Sequence, residues 1–173
     1  MVGASFEVEA PQVPERLDAW EPPEQAVVRL AEAKAREVAR RRPCDVVVGA
    51  DTVVALDGQL LGKPADPEQA REMLRRLSGR RHQVWTGLAV VRDADGRWVL
   101  HAERTDVTFR RLTEREIERY IRLGEGMDKA GGYAAQGAGA LLVERIEGCF
   151  FNVVGLPLSR LAELLRGFGI ELC

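Results

Sequence analysis

The chain is short of histidine, of paired cysteine and of net charge, and each shortage removes a class of function. Its two histidines, His82 and His101, are too few for a histidine metal site and too far from any serine to argue for a catalytic triad. Cys44, Cys149 and Cys173 are odd in number and show neither a CxxC nor a zinc-type spacing, which predicts free thiols in a reducing cytosol. No apolar run approaches the roughly 18 residues of a membrane span, and the polar start Met1-Val2-Gly3-Ala4-Ser5 does not read as a signal peptide. A cytoplasmic protein is expected. With 27 acidic and 25 basic side chains the formal charge is −2, so no global field draws the chain to nucleic acid or to an anionic membrane. The arginines of segments 71–76 and 110–122 alternate with glutamates, the pattern of solvated helix faces rather than of a binding stripe. Neither a Walker loop nor a GxGxxG fingerprint occurs, because Gly62-Lys63 lacks both the upstream glycine and the following hydroxyl.

What is present belongs to an ordinary α/β domain. At 173 residues the length fits one large domain or two closely joined lobes. Phe6 to Ala10 alternates like a strand. A helix is expected from Pro23, since proline suits a first turn, with Val27, Leu30, Ala31 and Val38 on its apolar stripe. Val46 to Leu56 reads as a buried strand and Asp57-Gly58 as a hairpin turn. Asp66-Pro67-Glu68-Gln69 caps a second helix with Ala70, Met73, Leu74 and Leu77 inside. Val84–Val91 and Trp98–Phe109 should pair as a hairpin. Thr113-x-x-Glu116 opens a third helix that Gly124 closes. Six glycines between Gly124 and Gly139 predict a loop whose backbone closely approaches something. Ala140–Glu147 is a further expected strand, and Pro157 opens a last helix. Strands and helices joined by hairpins and crossovers predict a mixed β-sheet flanked by helices.

Four features break this pattern. Asp51 stands in an otherwise apolar strand, where an unpaired carboxylate would cost several kcal/mol. Lys34 falls on the apolar stripe of the first helix, where its stem could lie on the core while its ammonium snorkels to water. The other two are the Leu61-Gly62-Lys63-Pro64 turn and Asp128-Lys129-Ala130-Gly131. Acid and lysines together suit a metal-bound polyphosphate. The lysines act as point charges, and Asp51 can hold magnesium, orient a water, or both. Asp57-Gly58-Gln59 looks like the tail of a haloacid-dehalogenase phosphatase motif, yet Ala55 stands where that motif needs its aspartate nucleophile, so the hairpin reading is kept.

Gly49-Ala50-Asp51-Thr52-Val53-Val54, Leu61-Gly62-Lys63-Pro64, Leu77-Ser78-Gly79-Arg80 with His82 and Thr86-Gly87, Asp128-Lys129-Ala130-Gly131 with Tyr133 and Gln136-Gly137, and Asn152-Val153-Val154-Gly155-Leu156-Pro157 resemble the Maf family. That resemblance implies an inosine-triphosphatase-like fold with two lobes around a cleft. It also implies hydrolysis of a nucleoside triphosphate to the monophosphate and pyrophosphate, and a homodimer. Carried onto matching positions, Asp51 becomes the catalytic aspartate, Lys34 and Lys63 bind substrate, and Asp128 and Lys129 line the substrate site. Thr52 and Gln136 match a subgroup acting on dTTP and UTP, and a hydroxyl and an amide suit a uracil or thymine edge. The implied cofactor is a divalent cation, Mg2+ or Mn2+, held by Asp51 and by Glu15, the one acid left in Gln12-Val13-Pro14-Glu15.

The family normally opens with a strand and a Ser-x-Ser-x-Arg-Arg segment, whereas only Met1 and Val2 precede the matching junction Gly3-Ala4-Ser5-Phe6-Glu7-Val8. A missing charge-assisted phosphate clamp and an uncovered sheet edge are the expected consequences. Two explanations stand: a start assigned too late, or a shortened relative. So do two functions, a pyrimidine triphosphate pyrophosphatase and a catalytically impaired nucleotide-binding regulator linked to septum formation.

Overall fold

The computed structural model describes residues 5–18 and 20–172. Met1 to Ala4 and Cys173, read above as part of the polar start, of the Gly-x-x-Phe-Glu-Val junction and of the thiol set, lie outside the described residues.

The frame is a sheet with helices on both faces. Helix α1 (Pro23–Arg41) precedes strands β1 (Val47–Leu56) and β2 (Gln59–Leu61), and α2 (Pro67–Leu77) follows. Strands β3 (Arg81–Arg92) and β4 (Arg97–Phe109) form the long hairpin, α3 (Glu114–Leu123) leads into the glycine-rich loop, and β5 (Val143–Glu147) closes the sheet. The short α4 (Phe150–Val153) and α5 (Leu158–Arg166) complete the chain. Sheet order is β2-β1-β3-β4-β5, and every described ladder is antiparallel.

Local chemistry sets the boundaries. Proline starts α1, Asp66 accepts the Gln69 N–H to cap α2, and Thr113 with Glu116 makes the expected capping box on α3 before Gly124 ends it in a left-handed turn. Alternation along β1 sends Val53 and Ala55 toward α1, while Val54 and Leu56 join α2 and α3 on the opposite face. The second face holds the larger core, built on Phe109, Leu74, Leu77, Ile117 and Tyr133.

Helix α1 lies unusually close to the sheet. Its buried face carries Ala31, Ala35 and Ala39, with Val38 only half-buried, so the stripe is narrower in volume than the Val27–Val38 reading implied. Small residues meet small residues here. A Cβ on Gly49 would come within 2.4 Å of the Ala31 carbonyl oxygen, and one on Gly87 within 2.2 Å of that of Val27. Gly87 sits directly opposite Asp51 in the β1–β3 register. The backbone contact therefore lowers α1 onto the strand at the height of Asp51.

Two expectations need correction. Phe6–Ala10 is not a strand: Phe6 and Val8 are 78% and 85% exposed, and the segment is held by ion pairs from Glu7 to Arg42 and from Glu9 to Arg41 and Arg42. Alternation alone does not make a strand where no ladder receives it. The strand expected over Ala140–Glu147 starts only at Val143, because Gly137–Leu141 winds as a 3-10 turn. The glycine loop approaches itself. Cβ atoms on Gly126 and Gly139 would strike the carbonyl oxygens of Gly132 and Ala134 at 2.0 and 1.8 Å.

Candidate active site

Strand β2 is three residues long and pairs only with Val54–Leu56, so among the described residues the outer edge of β1 carries no strand partner from Val47 to Val53. Asp51 and Thr52 lie on this edge. Being consecutive, they face opposite sides of the sheet, and the open edge lets both reach one cleft. That cleft measures about 250 Å³ and brings Asp51, Thr52, Lys63, Asp128, Lys129 and Gln136 together. A backbone bond from the Gly131 N–H to the Gly62 carbonyl, 2.9 Å long, ties the Lys63 turn to the glycine loop.

On the α1 side a chain of alternating charges crosses the site. The Lys34 ammonium donates to Asp51 Oδ1 and pairs with Glu15 Oε1 at 2.6 Å. Glu15 Oε2 in turn accepts from Lys63 Nζ at 2.8 Å. The Lys34 and Asp51 side chains are 14% and 10% exposed, so this lysine does not snorkel. Burial pushes the Asp51 carboxyl above its ordinary range, and the adjoining Lys34 only partly opposes it. Burial also pulls Lys34 down, but bonds to Asp51 and Glu15 outweigh it and hold the ammonium above the usual lysine range. Glu15 is held below its ordinary range by hydrogen bonds from both lysines. One carboxyl is thus a stronger base than usual beside another that stays ionised. Divergent pKa values in neighbouring acids are a mark of assigned acid–base roles.

On the other side, Thr52 Oγ1 lies 2.8 Å from Thr86 Oγ1, its direct cross-strand partner. Thr86 donates to the Asn152 carbonyl at 3.0 Å. Asp128 is bound by its neighbour Lys129 at 2.6 Å, and both stay exposed at the rim.

The chain matches the model of the Maf family, described as Maf-like protein, over residues 1–168. It belongs to that family. Similar proteins include a dTTP/UTP pyrophosphatase of Desulforamulus reducens, 47% identical over 99% of this chain and 90% of the relative. Others carry the same name in Bacillus pumilus, at 46% over 98% and 89%, and in Clostridioides difficile, at 47% over 94% and 84%.

For this Maf chain, the fit of a divalent ion can be judged from its donors. Among the described residues no group of three or more His, Cys, Asp or Glu could hold a metal. Asp51 and Glu15 are nonetheless two hard oxygen donors gathered on Lys34. Magnesium is commonly held by one or two carboxylates, with substrate phosphates and water completing its shell, so the donors present fit an ion that arrives with a polyphosphate. Among the described residues no helix is long and apolar enough to cross a membrane.

Sequence reasoning named Glu15 as an isolated metal ligand and missed its bridge between the lysines. It also left Thr86 and Asn152 without a role. Both stand within the motifs quoted above; Asn152 is also conspicuous as an amide within the apolar stretch Phe150–Val154, whereas Thr86 is inconspicuous by residue type, since threonine is common in strands.

Proposed function

We propose that this chain hydrolyses dTTP and UTP between the α- and β-phosphates, releasing the nucleoside monophosphate and pyrophosphate. The observation that carries the proposal is the Asp51–Lys34–Glu15–Lys63 chain beside a base-sized cleft holding Thr52 and Gln136. Lys63 and Lys34 neutralise phosphate oxygens and orient the polyphosphate. Asp51 takes a proton from the attacking water, a task favoured by a carboxyl whose proton affinity is raised by burial. The water oxygen bonds to the α-phosphorus as the bond from that phosphorus to the bridging oxygen breaks, and pyrophosphate leaves with the electron pair. Glu15 fixes both ammonium groups toward one point. A divalent cation, Mg2+ or Mn2+, held by Asp51 and Glu15 would supply further neutralisation of phosphate charge. Asp128 and Lys129 at the rim meet the sugar and phosphates, while Thr52 and Gln136 read the base.

The reading extends to a cytoplasmic homodimer acting on the nucleotide pool, which the family likeness supports. Phosphorus NMR of products from dTTP with Mg2+ or Mn2+ tests the reaction. Equal amounts of dTMP and pyrophosphate are expected; dTDP with orthophosphate would overturn the assignment. Nucleotide binding without turnover would favour the regulatory reading instead. Sedimentation tests the dimer, and a monomer across working concentrations would refute it.

A further inference from the structure

The proton of one buried hydroxyl has only one productive destination. Thr86 is fully buried, and its Oγ1 touches two partners, the Asn152 carbonyl oxygen at 3.0 Å and Thr52 Oγ1 at 2.8 Å. A carbonyl cannot donate, so the first bond exists only if Thr86 gives its single proton there. Thr52 must then donate to Thr86. The reverse order would spend the Thr86 proton on Thr52 and forgo the carbonyl bond, whereas the forward order makes two bonds that polarise each other. The acceptor is itself immobilised. Asn152 is fully buried, its amide nitrogen donates to the Val84 carbonyl at 3.1 Å and to Thr105 Oγ1 at 3.0 Å, and its carbonyl also takes the Gly155 N–H at 2.9 Å.

A threonine hydroxyl that has given away its proton offers its surroundings lone pairs alone. Thr52 reaches the cleft, as does Gln136. The cleft is kept open beside the hydroxyl by Gly155, where an added Cβ would stand 3.5 Å from Thr52 Oγ1. The pyrimidine bases differ at the atom that would meet such an acceptor. Uracil and thymine carry an N3–H donor between two carbonyls; cytosine carries an N3 lone pair beside an amino group. A freely rotating hydroxyl would satisfy either. A hydroxyl held as an acceptor satisfies only the first two and sets lone pair against lone pair in the third.

We infer that Thr86 is a positioning residue for base selection: by committing its proton to the Asn152 carbonyl it fixes Thr52 as a pure acceptor and so selects pyrimidine nucleotides with an imide N3–H over cytidine nucleotides. The inference rests on the triphosphate pyrophosphatase reading and deepens it. It accounts for a site that treats thymine and uracil alike, since they share this edge and differ only in the 5-methyl group.

The test compares kcat/KM for UTP and CTP in the unaltered chain, Thr86→Val, Thr86→Ser, Thr52→Val and the double valine variant. Thr86→Val is expected to lower the UTP-to-CTP ratio about tenfold, the worth of one hydrogen bond. The change should fall mainly on KM, because the base is remote from the reacting phosphorus. Thr86→Ser keeps the relay and should keep the ratio, and the double variant should discriminate no less than Thr52→Val alone. A Thr86→Val ratio equal to that of the unaltered chain, or additive losses in the double variant, would overturn the inference. Should the valine variant fail to fold, Thr86→Cys, close in size but weak in hydrogen bonding, replaces it under the same expectations. If the unaltered chain turns over no triphosphate, the pyrophosphatase reading fails by itself. The same ratios are then read calorimetrically from UMP and CMP binding, and equal or absent binding by the unaltered chain would overturn the base selection as well.

Discussion

Lys34 and Asp51 form an ion pair across the α1–β1 interface, with only 14% and 10% of their side chains exposed. Two residues that each contradict their surroundings thereby answer one another. The pair is not closed, because Glu15 also takes the ammonium and passes the charge chain on to Lys63.

Asp51→Asn should reduce turnover of dTTP at least a hundredfold while the protein still folds. Asparagine retains the shape but loses the base, a contribution of about 10²–10⁴ in rate, and Glu15 keeps Lys34 paired. Steady-state kinetics beside far-UV circular dichroism checks both halves. Near-normal turnover would make Asp51 structural.

The acid limb of kcat/KM should lie above the ordinary aspartate range, because burial raises Asp51 and it must be ionised to accept a proton. Activity is present at higher pH and is lost as pH falls through that raised value. Lys34 favours the ionised form, so Lys34→Met should move the limb to still higher pH. A limb unmoved in a residually active Lys34→Met protein would contradict the coupling.

Gln136→Leu should raise KM for dTTP and UTP severalfold with a smaller effect on kcat. The side chain lines the cleft rather than the charged chain. A loss confined to kcat would place Gln136 at the reacting phosphates.

Gly87→Ala should destabilise the fold by about 3 kcal/mol, at the upper end for overpacking, because the new methyl meets the Val27 carbonyl oxygen at 2.2 Å. For a chain of this size that is a fall in Tm of roughly 10 °C. The helix must lift where Gly87 faces Asp51, so the remaining folded protein should also lose activity. Thermal melts and kinetics on the same sample report the two effects.

Stability should also decline on acidification through His82. Its ring is buried, hydrogen-bonded to the Tyr133 hydroxyl at 2.8 Å, and desolvation pulls its pKa from 6.5 to about 4. The unfolded chain binds the proton first, so stability is level above pH 6.5, falls between pH 6.5 and about pH 4, and loses about 3 kcal/mol over that window. Urea titrations across this range, repeated with His82→Gln, should show the decline flatten in the variant.

Much of the frame was legible because its signals are local. Pro23, Asp66, Thr113 with Glu116, and Gly124 each act within one turn of their own position, and all four mark the helix ends they suggested. The alternation at Phe6–Ala10 was just as local and misled, since a strand exists only with a neighbour to receive its hydrogen bonds.

The sequence by itself determined which residues were out of place: a carboxylate among valines, a lysine on an apolar helix face, a lysine in a turn. Such anomalies can be read from single positions because burying a charge is costly wherever it occurs. Only the tertiary structure decided how they meet. The close backbone approach of Gly87 to Val27 brings α1, which carries Lys34, down onto the strand of Asp51; among the described residues the short β2 leaves the outer β1 edge without a strand partner from Val47 to Val53; and Glu15 arrives from a distant loop to join the lysines. The direction of the Thr52 hydroxyl depends on a carbonyl in α4, 66 residues beyond Thr86. Hydrogen bonds and ion pairs act over a few ångströms in space and are indifferent to separation along the chain, so no spacing in the sequence could have announced them.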